Sequence, residues 1–371
     1  MSGGPVGVGI IGAGVISHQY LVNLTAAADV KVIMVADLDL ERAATQAAAY
    51  GVPASGSVAD LLERDDIEIV VNLTIPAAHV PVAFDVLAAG KHVWSEKPFA
   101  LDLESGSALL AEAQRLGLRV ACAPDTVLGA GIQTGRRLIE SGAIGTPLTA
   151  LTLFQVAGPE SWHPNPDFLY ARGGGPLFDI GPYYLSTLVQ LMGPADRVVA
   201  RGSQARSSRV IASGPRAGES FAVEVPTHVA ALIDFENGTS AQSTFSFQSA
   251  RPRVGIVEIC GTEGTLVLPD PNMFDGELRI WRDGMTEESD TELHPSAGST
   301  FSRGAGIVEL ARALRADRPE RASGAFAFHV LDLMVSIQAS AESDGNAVAI
   351  ESTVITPPAL PEDWDPIAAT L

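Results

Sequence analysis

The seven histidines, the five tyrosines and the lysines are the candidates for moving a proton at a hydroxyl-bearing carbon, and Lys97 and the pair Asp179 and Tyr183 stand out by where they lie. Lysine occurs only at positions 31, 91 and 97. Lys97 stands in "SEKPFA", within "KHVWSEKP", which reads as a sheet strand ending in a turn at Pro98. The carboxyl edge of an open α/β sheet is where ligands bind. Asp179 and Tyr183 lie four apart in "GGGPLFDIGPYYL" (173–185), and share one face if a helix covers both. The same pair would suit a capping aspartate and a core tyrosine. A free phenol titrates near 10 and is a poor base at neutral pH, but a lysine cation beside it favours the phenolate. The preceding stretch "ESWHPNPDFLYARGGG" (160–175) adds Trp162, His163 and Tyr170. These suit ring stacking and hydroxyl binding, or equally loop packing among prolines.

Such groups need elements to hold them, and the first of these is at the start of the chain. "GVGIIGAGVIS" (7–17) fits G-x-G-x-x-G in two registers. A dinucleotide loop needs a strand first, then one glycine for the turn, one for pyrophosphate approach and a small residue for helix packing. The register Gly7-Gly9-Gly12 leaves only "MSGGPV" ahead of it, which cannot make a buried strand. The register Gly12-Gly14-Ser17 leaves "PVGVGII", and a helical stripe of Ile16, Tyr20 and Leu24 follows. The shifted register is therefore expected. "VKVIMVA" then ends in Asp37, about 20 residues past the loop, where an acid binds the adenosine ribose and repels a 2′-phosphate; an acid there would also cap the helix that begins near Leu40. NAD is expected over NADP. With that cofactor the chemistry is hydride transfer at a carbon bearing oxygen, in which the protein supplies proton transfer, charge and positioning. Oxidised nicotinamide would add positive charge beside the phenol.

With 371 residues, two domains are expected. Hydrophobic residues make up 46% and charged residues 18%, as in a globular protein. The net charge of −20 argues against nucleic-acid backbone or anionic membrane as partner. No apolar run is expected to reach membrane-spanning length. Two cysteines, Cys122 and Cys260, are too few for a disulfide framework. With no targeting segment visible, a cytoplasmic location is expected. No Cys/His/carboxylate cluster has metal-ligand spacing, so no metal is expected. His329, on an apolar helix, reads as a core residue. Strands alternate with helices as far as "LRVACAP", which predicts a doubly wound parallel sheet over residues 1–124. Residues 125–371 hold strand after strand with a hairpin signal at Asn237-Gly238. They predict an α+β domain with a mostly antiparallel open sheet. The polar stretch 202–220 reads as an exposed loop.

The ordered set Gly12-Ala13-Gly14, Asp37, "NLTIPAAH" (72–79), "AAGKHVWSEKP" (88–98), "ESGAIGTP" (140–147), "GGGPLFDIGPYY" and "CGTEGTL" (260–266) resembles the glucose–fructose oxidoreductase and inositol dehydrogenase family. The resemblance runs from about residue 6 to about 345. It implies a Rossmann domain and NAD(P)-dependent chemistry at a secondary hydroxyl or ketone of a sugar, sugar derivative or cyclitol. Gly12, Gly14, Val15 and Ile16 match the pyrophosphate loop, Asp37 the ribose acid, and Thr74, Pro76 and His79 a third cofactor segment. Glu96 and Lys97 match the Glu-Lys-Pro motif, whose lysine touches cofactor and substrate. Asp179 matches the substrate-site aspartate. Inositol dehydrogenase-like members carry histidine where this chain has Tyr183, so inositol specificity does not carry over. Tyrosine there resembles the glucose–fructose oxidoreductase and dimeric dihydrodiol dehydrogenase branches. The family implies a homodimer or homotetramer. The alternatives on the same fold are an NAD-dependent glycosidase, working through a transient keto-sugar, and a non-catalytic NAD/sugar sensor.

Overall fold

The computed structural model describes residues 3–298 and 301–371. Six strands make the first sheet: β1 (Val6–Ile11), β2 (Val30–Ala36), β3 (Ala54–Gly56), β4 (Ile69–Asn72), β5 (His92–Ser95) and β6 (Val120–Cys122). Their order is β3-β2-β1-β4-β5-β6 and every pairing is parallel. Helices α1 (Ser17–Leu24), α2 (Leu40–Ala49), α3 (Val58–Leu62), α4 (His79–Ala88) and α5 (Leu103–Leu116) make the crossovers. All residues of β1, β4 and β6 are buried, as expected of parallel strands covered on both faces. The strand order reverses between β1 and β4, so a dinucleotide site is expected at their carboxyl ends.

The next elements are α6 (Ala130–Glu140), β7 (Pro147–Gln155) and α7 (Gly175–Met192). They are followed by β8 (Ala195–Ser203), β9 (Ser208–Val210), β10 (Ser220–Ala222), β11 (His228–Phe235) and β12 (Ser240–Ser246). Then come β13 (Arg253–Gly261), β14 (Thr265–Leu268), β15 (Glu277–Trp281) and β16 (Glu292–Pro295). The last elements are α8 (Ala305–Arg315), α9 (Gly324–Glu342) and β17 (Val348–Ala349). The second sheet has nine strands in the order β16-β15-β14-β13-β7-β12-β11-β8-β17. Only β7 and β12 run parallel. The Asn237-Gly238 turn joins β11 to β12, with Gly238 at φ +84°. Helix α7 packs against β7, β11 and β12.

Three expectations are corrected. The chain does not divide once, after Pro124. One compact unit holds Met1–Gln133, Ala297–Phe328 and Pro357–Leu371, and the other holds Thr134–Ser296 and His329–Thr356. The late segments join the first unit through contacts that no local periodicity reveals. A Cβ on Gly306 of α8 would lie 1.9 Å from the Trp94 ring, so glycine lets α8 lie flat on β5. Arg312 pairs with buried Asp29 at 2.6 Å, and Asp29 also accepts the Thr370 backbone N–H. Second, the stretch 202–220 is not all loop: it contributes to the two-stranded ribbon β9–β10. Third, α9 is long and apolar enough to cross a membrane by length and composition, with mean hydropathy 1.3. Within the protein 61% of it is buried, as in a core helix.

Candidate active site

Each compact unit carries part of the chemistry. In the first, Gly7 and Gly9 lie inside β1. A Cβ on Gly7 would sit 1.8 Å from Asp66 O, and one on Gly9 would sit 2.9 Å from Leu61. They are packing residues. Gly12 takes φ +104°, and a Cβ there would lie 2.7 Å from Leu73 O, so the turn at the end of β1 admits only glycine. A Cβ on Gly14 would meet no atom within 4 Å, which leaves the backbone open to close approach. Ser17 is fully buried and its hydroxyl donates to Gly14 O at 2.6 Å. The first turn of α1 carries no acidic side chain, so its N-terminus suits an anion. The shifted register is the one the fold uses.

Asp37 ends β2. Its Oδ2 accepts the Ala13 N–H at 2.7 Å, and its Oδ1 accepts Asp39 N–H at 2.9 Å and Arg42 at 2.6 Å. Burial raises this carboxyl, but the Arg42, Asp39 and Ala13 hydrogen bonds outweigh it and hold it below the usual carboxylate range. It therefore stays charged. Three large apolar side chains stand out in water at the same sheet edge: Val15 and Leu38, each 96% exposed, and Ile75, 69% exposed. Exposed apolar groups beside a glycine turn and a charged carboxylate fit the flat rings of a dinucleotide. Sequence reading named Val15 but missed Leu38 and Ile75. Their signal was an apolar residue two or three positions past the end of a strand, at Leu38 after β2 and Ile75 after β4.

The third segment folds on itself. Asn72 is fully buried; its amide donates to His79 O at 2.9 Å and its Oδ1 accepts the Thr74 hydroxyl at 2.6 Å. Pro76 opens a 3-10 turn, Pro76–Ala78. His79, expected at the cofactor, is 1% exposed, with its Nδ1 2.9 Å from Pro98 O and its Nε2 3.0 Å from Thr74 O. Burial pushes its pKa down against the pull of those carbonyls. Glu96 was also expected at the cofactor, but it turns inward. Its Oε1 accepts the Tyr20 hydroxyl at 2.7 Å and its Oε2 accepts the Lys97 N–H at 3.0 Å. Lys97 itself is half-buried just past β5.

In the second unit α7 starts at Gly175, well before Tyr183, so Asp179 and Tyr183 both lie in helix, one turn apart. Asp179 and Ile180 are the only residues of α7 that are not buried. Tyr183 is 5% exposed. The neighbouring Tyr184 hydroxyl accepts the Gly255 N–H at 2.8 Å. Trp162 is 67% exposed, and the His163 ring stands edge-on between Trp162 (5.4 Å) and Phe168 (5.5 Å). Tyr170 is not on this surface. It is fully buried, with its hydroxyl on Glu160 and its ring against Phe221, Phe247 and Arg209. It is a packing residue, the alternative its sequence context left open. Among the described residues, no three His, Cys, Asp or Glu side chains gather as a metal would require.

Residues 6–123 match the family described as an oxidoreductase family with an NAD-binding Rossmann fold, and residues 132–267 match the GFO/IDH/MocA C-terminal domain. The chain belongs to the GFO/IDH/MocA family. It is thereby an NAD(P)-dependent oxidoreductase. Among its relatives is dTDP-3,4-didehydro-2,6-dideoxy-alpha-D-glucose 3-reductase of Streptomyces violaceoruber, 30% identical over 82% of this chain and 85% of that protein. Another is inositol 2-dehydrogenase 3 of Saccharopolyspora erythraea, 26% identical over 81% of this chain and 87% of that one. A levoglucosan dehydrogenase solved with NADH and L-sorbose has the same fold, with a TM-score of 0.81 at 21% identity over 94% of this chain and all of that one.

Proposed function

We propose that this family member is an NAD-preferring dehydrogenase or reductase acting on a secondary hydroxyl or ketone of a sugar, sugar derivative or cyclitol. The observation that carries it is the edge of the first sheet. There a turn that admits only glycine, a charged ribose acid and three exposed apolar side chains precede a half-buried lysine. The relatives' names give the substrate class: one reduces a nucleotide-linked keto-sugar and another oxidises inositol. Bound at that edge, the nicotinamide supplies the hydride acceptor or donor. Tyr183 carries the hydroxyl proton, Lys97 favours the deprotonated oxygen and Asp179 orients the hydroxyl. Trp162 and His163 offer ring surface and an imidazole to the sugar. A panel of sugars, cyclitols and glycosides tests this, followed by reduced-nicotinamide absorbance and by chromatography. Oxidation with matching NADH is the expected result. Free sugar from a glycoside without net NADH would make the chain a glycosidase, and binding without turnover would make it a sensor.

Asp37 makes the cofactor preference testable. Asp37→Ala removes the group that repels a 2′-phosphate and frees the Arg42 guanidinium to meet one. The ratio of NAD to NADP affinity should narrow by about tenfold or more. Because the carboxyl sits below its usual range, the native preference should persist into mildly acidic buffer. Tighter NADP binding by the unaltered protein would overturn the assignment.

The second sheet's outer face supports a homo-oligomer. Leu232 (57% exposed) lies across from Val199 on β8 and beside Gln242 on β12, which in turn faces Leu151 on β7. This apolar row would bury well against a second copy. Leu232→Asp should shift the sedimenting species toward the monomer. An unchanged mass would place the interface elsewhere.

A further inference from the structure

Tyr20 is the fourth residue of α1, the helix that follows the Gly12-Gly14 loop. It is fully buried. Its hydroxyl donates to Glu96 Oε1 at 2.7 Å and accepts the Trp94 Nε1–H at 3.4 Å. The other Glu96 oxygen holds the Lys97 N–H at 3.0 Å. One carboxylate thus joins the loop's helix to the backbone of Lys97. On the far side of Lys97, the His79 ring holds the Pro98 carbonyl. Trp94 is held in turn by α8, through the flat contact at Gly306. Burial and the Glu96 charge keep the Tyr20 phenol well above its usual pKa, so it remains a donor. Neither Tyr20 nor Trp94 touches solvent, so water cannot replace the bond.

We infer that Tyr20 is a positioning residue: through Glu96 it fixes the Lys97 backbone relative to the dinucleotide helix, so one buried hydrogen bond sets the placement of Lys97. The inference rests on Lys97 acting in turnover as proposed above.

Tyr20→Phe keeps the ring and its packing but strands Glu96 Oε1. A hydrogen bond to a charged group is worth roughly ten- to a hundredfold in an equilibrium. kcat should fall by about that factor, and the pH–rate profile should move in the direction produced by Lys97→Met. NAD affinity by calorimetry should change little, since the loop is untouched. A purely structural role would lower the melting temperature without moving the pH profile. Glu96→Gln keeps an acceptor for Tyr20 but turns an amide donor toward the Lys97 N–H, so it should give the same phenotype from the other end. The double variant should be no worse than the worse single one, because both break one chain of bonds. If Tyr20→Phe does not fold, Glu96→Gln alone carries the test. An unchanged kcat and pH profile in folded Tyr20→Phe, or additive losses in the double variant, would overturn the inference. Lys97→Met is the separating control. If it turns over normally, the reading of Lys97 fails; if it is dead while Tyr20→Phe is normal, only the Tyr20 link fails.

Discussion

Lys97→Met abolishes most turnover, by at least about a hundredfold, and moves the pH optimum of the residual activity upward. Methionine keeps much of the side chain's length and loses its charge. The turn that bears it should survive, because its backbone is held by Glu96 on one side and His79 on the other. The sign of the pH effect follows from electrostatics. With Lys97 favouring the deprotonated oxygen as proposed above, taking its charge away requires a higher pH to reach the same deprotonated fraction. Steady-state rates across pH with a saturating sugar or polyol check both parts. Near-normal turnover would remove Lys97 from the mechanism. Loss of turnover with an unshifted optimum would keep it as a positioning group only.

The parts of the site that were legible in sequence are those fixed by backbone geometry. Gly12 was identifiable because a strand must precede the loop, and the fold confirms that only glycine fits that turn. Gly7 and Gly9 matched the motif by letter, yet they serve close packing against Asp66 and Leu61. Asp37 was readable from strand length and spacing, but its Arg42 partner was not, because an ion pair at the start of a helix leaves no periodic trace. Glu96 and His79 stand in matched motifs, but their contacts to the backbone around Lys97 could not be read from sequence. Tyr170 shows the limit of residue type: an aromatic beside a glycine run suits a sugar or a core, and Glu160, Arg209 and Phe221 decide for the core. Several of the partners that settle these cases lie tens of residues away, as do the late segments around Gly306 and Thr370 that complete the first unit.

Tyr183→Phe should cost about 10² to 10⁴ in turnover, the usual worth of a positioned acid or base, while Tyr184→Phe should cost far less. Both tyrosines are buried, 5% and 1% exposed, so exposure does not choose between them. Their hydroxyls do. Tyr184 holds the Gly255 N–H at the start of β13 and packs edge-on against Phe154 and Phe245. Burial and the nearby Asp270 charge raise its pKa above the ordinary phenol value, which makes it a poor base. Tyr184→Phe therefore leaves a backbone donor without its partner and should lower stability by about 1 kcal/mol. Tyr183 lies one helical turn from Asp179, the half-exposed carboxylate of α7, and its substitution by phenylalanine keeps the packing. NAD affinity should barely move in that variant, so the loss falls on the chemical step. Turnover, melting temperature and NAD affinity of the two variants side by side make the comparison. If Tyr184→Phe is dead and Tyr183→Phe is active, the proton goes to the other tyrosine. If both stay active, the proton carrier is neither, and His163, standing between two exposed rings on the neighbouring loop, becomes the residue to replace next.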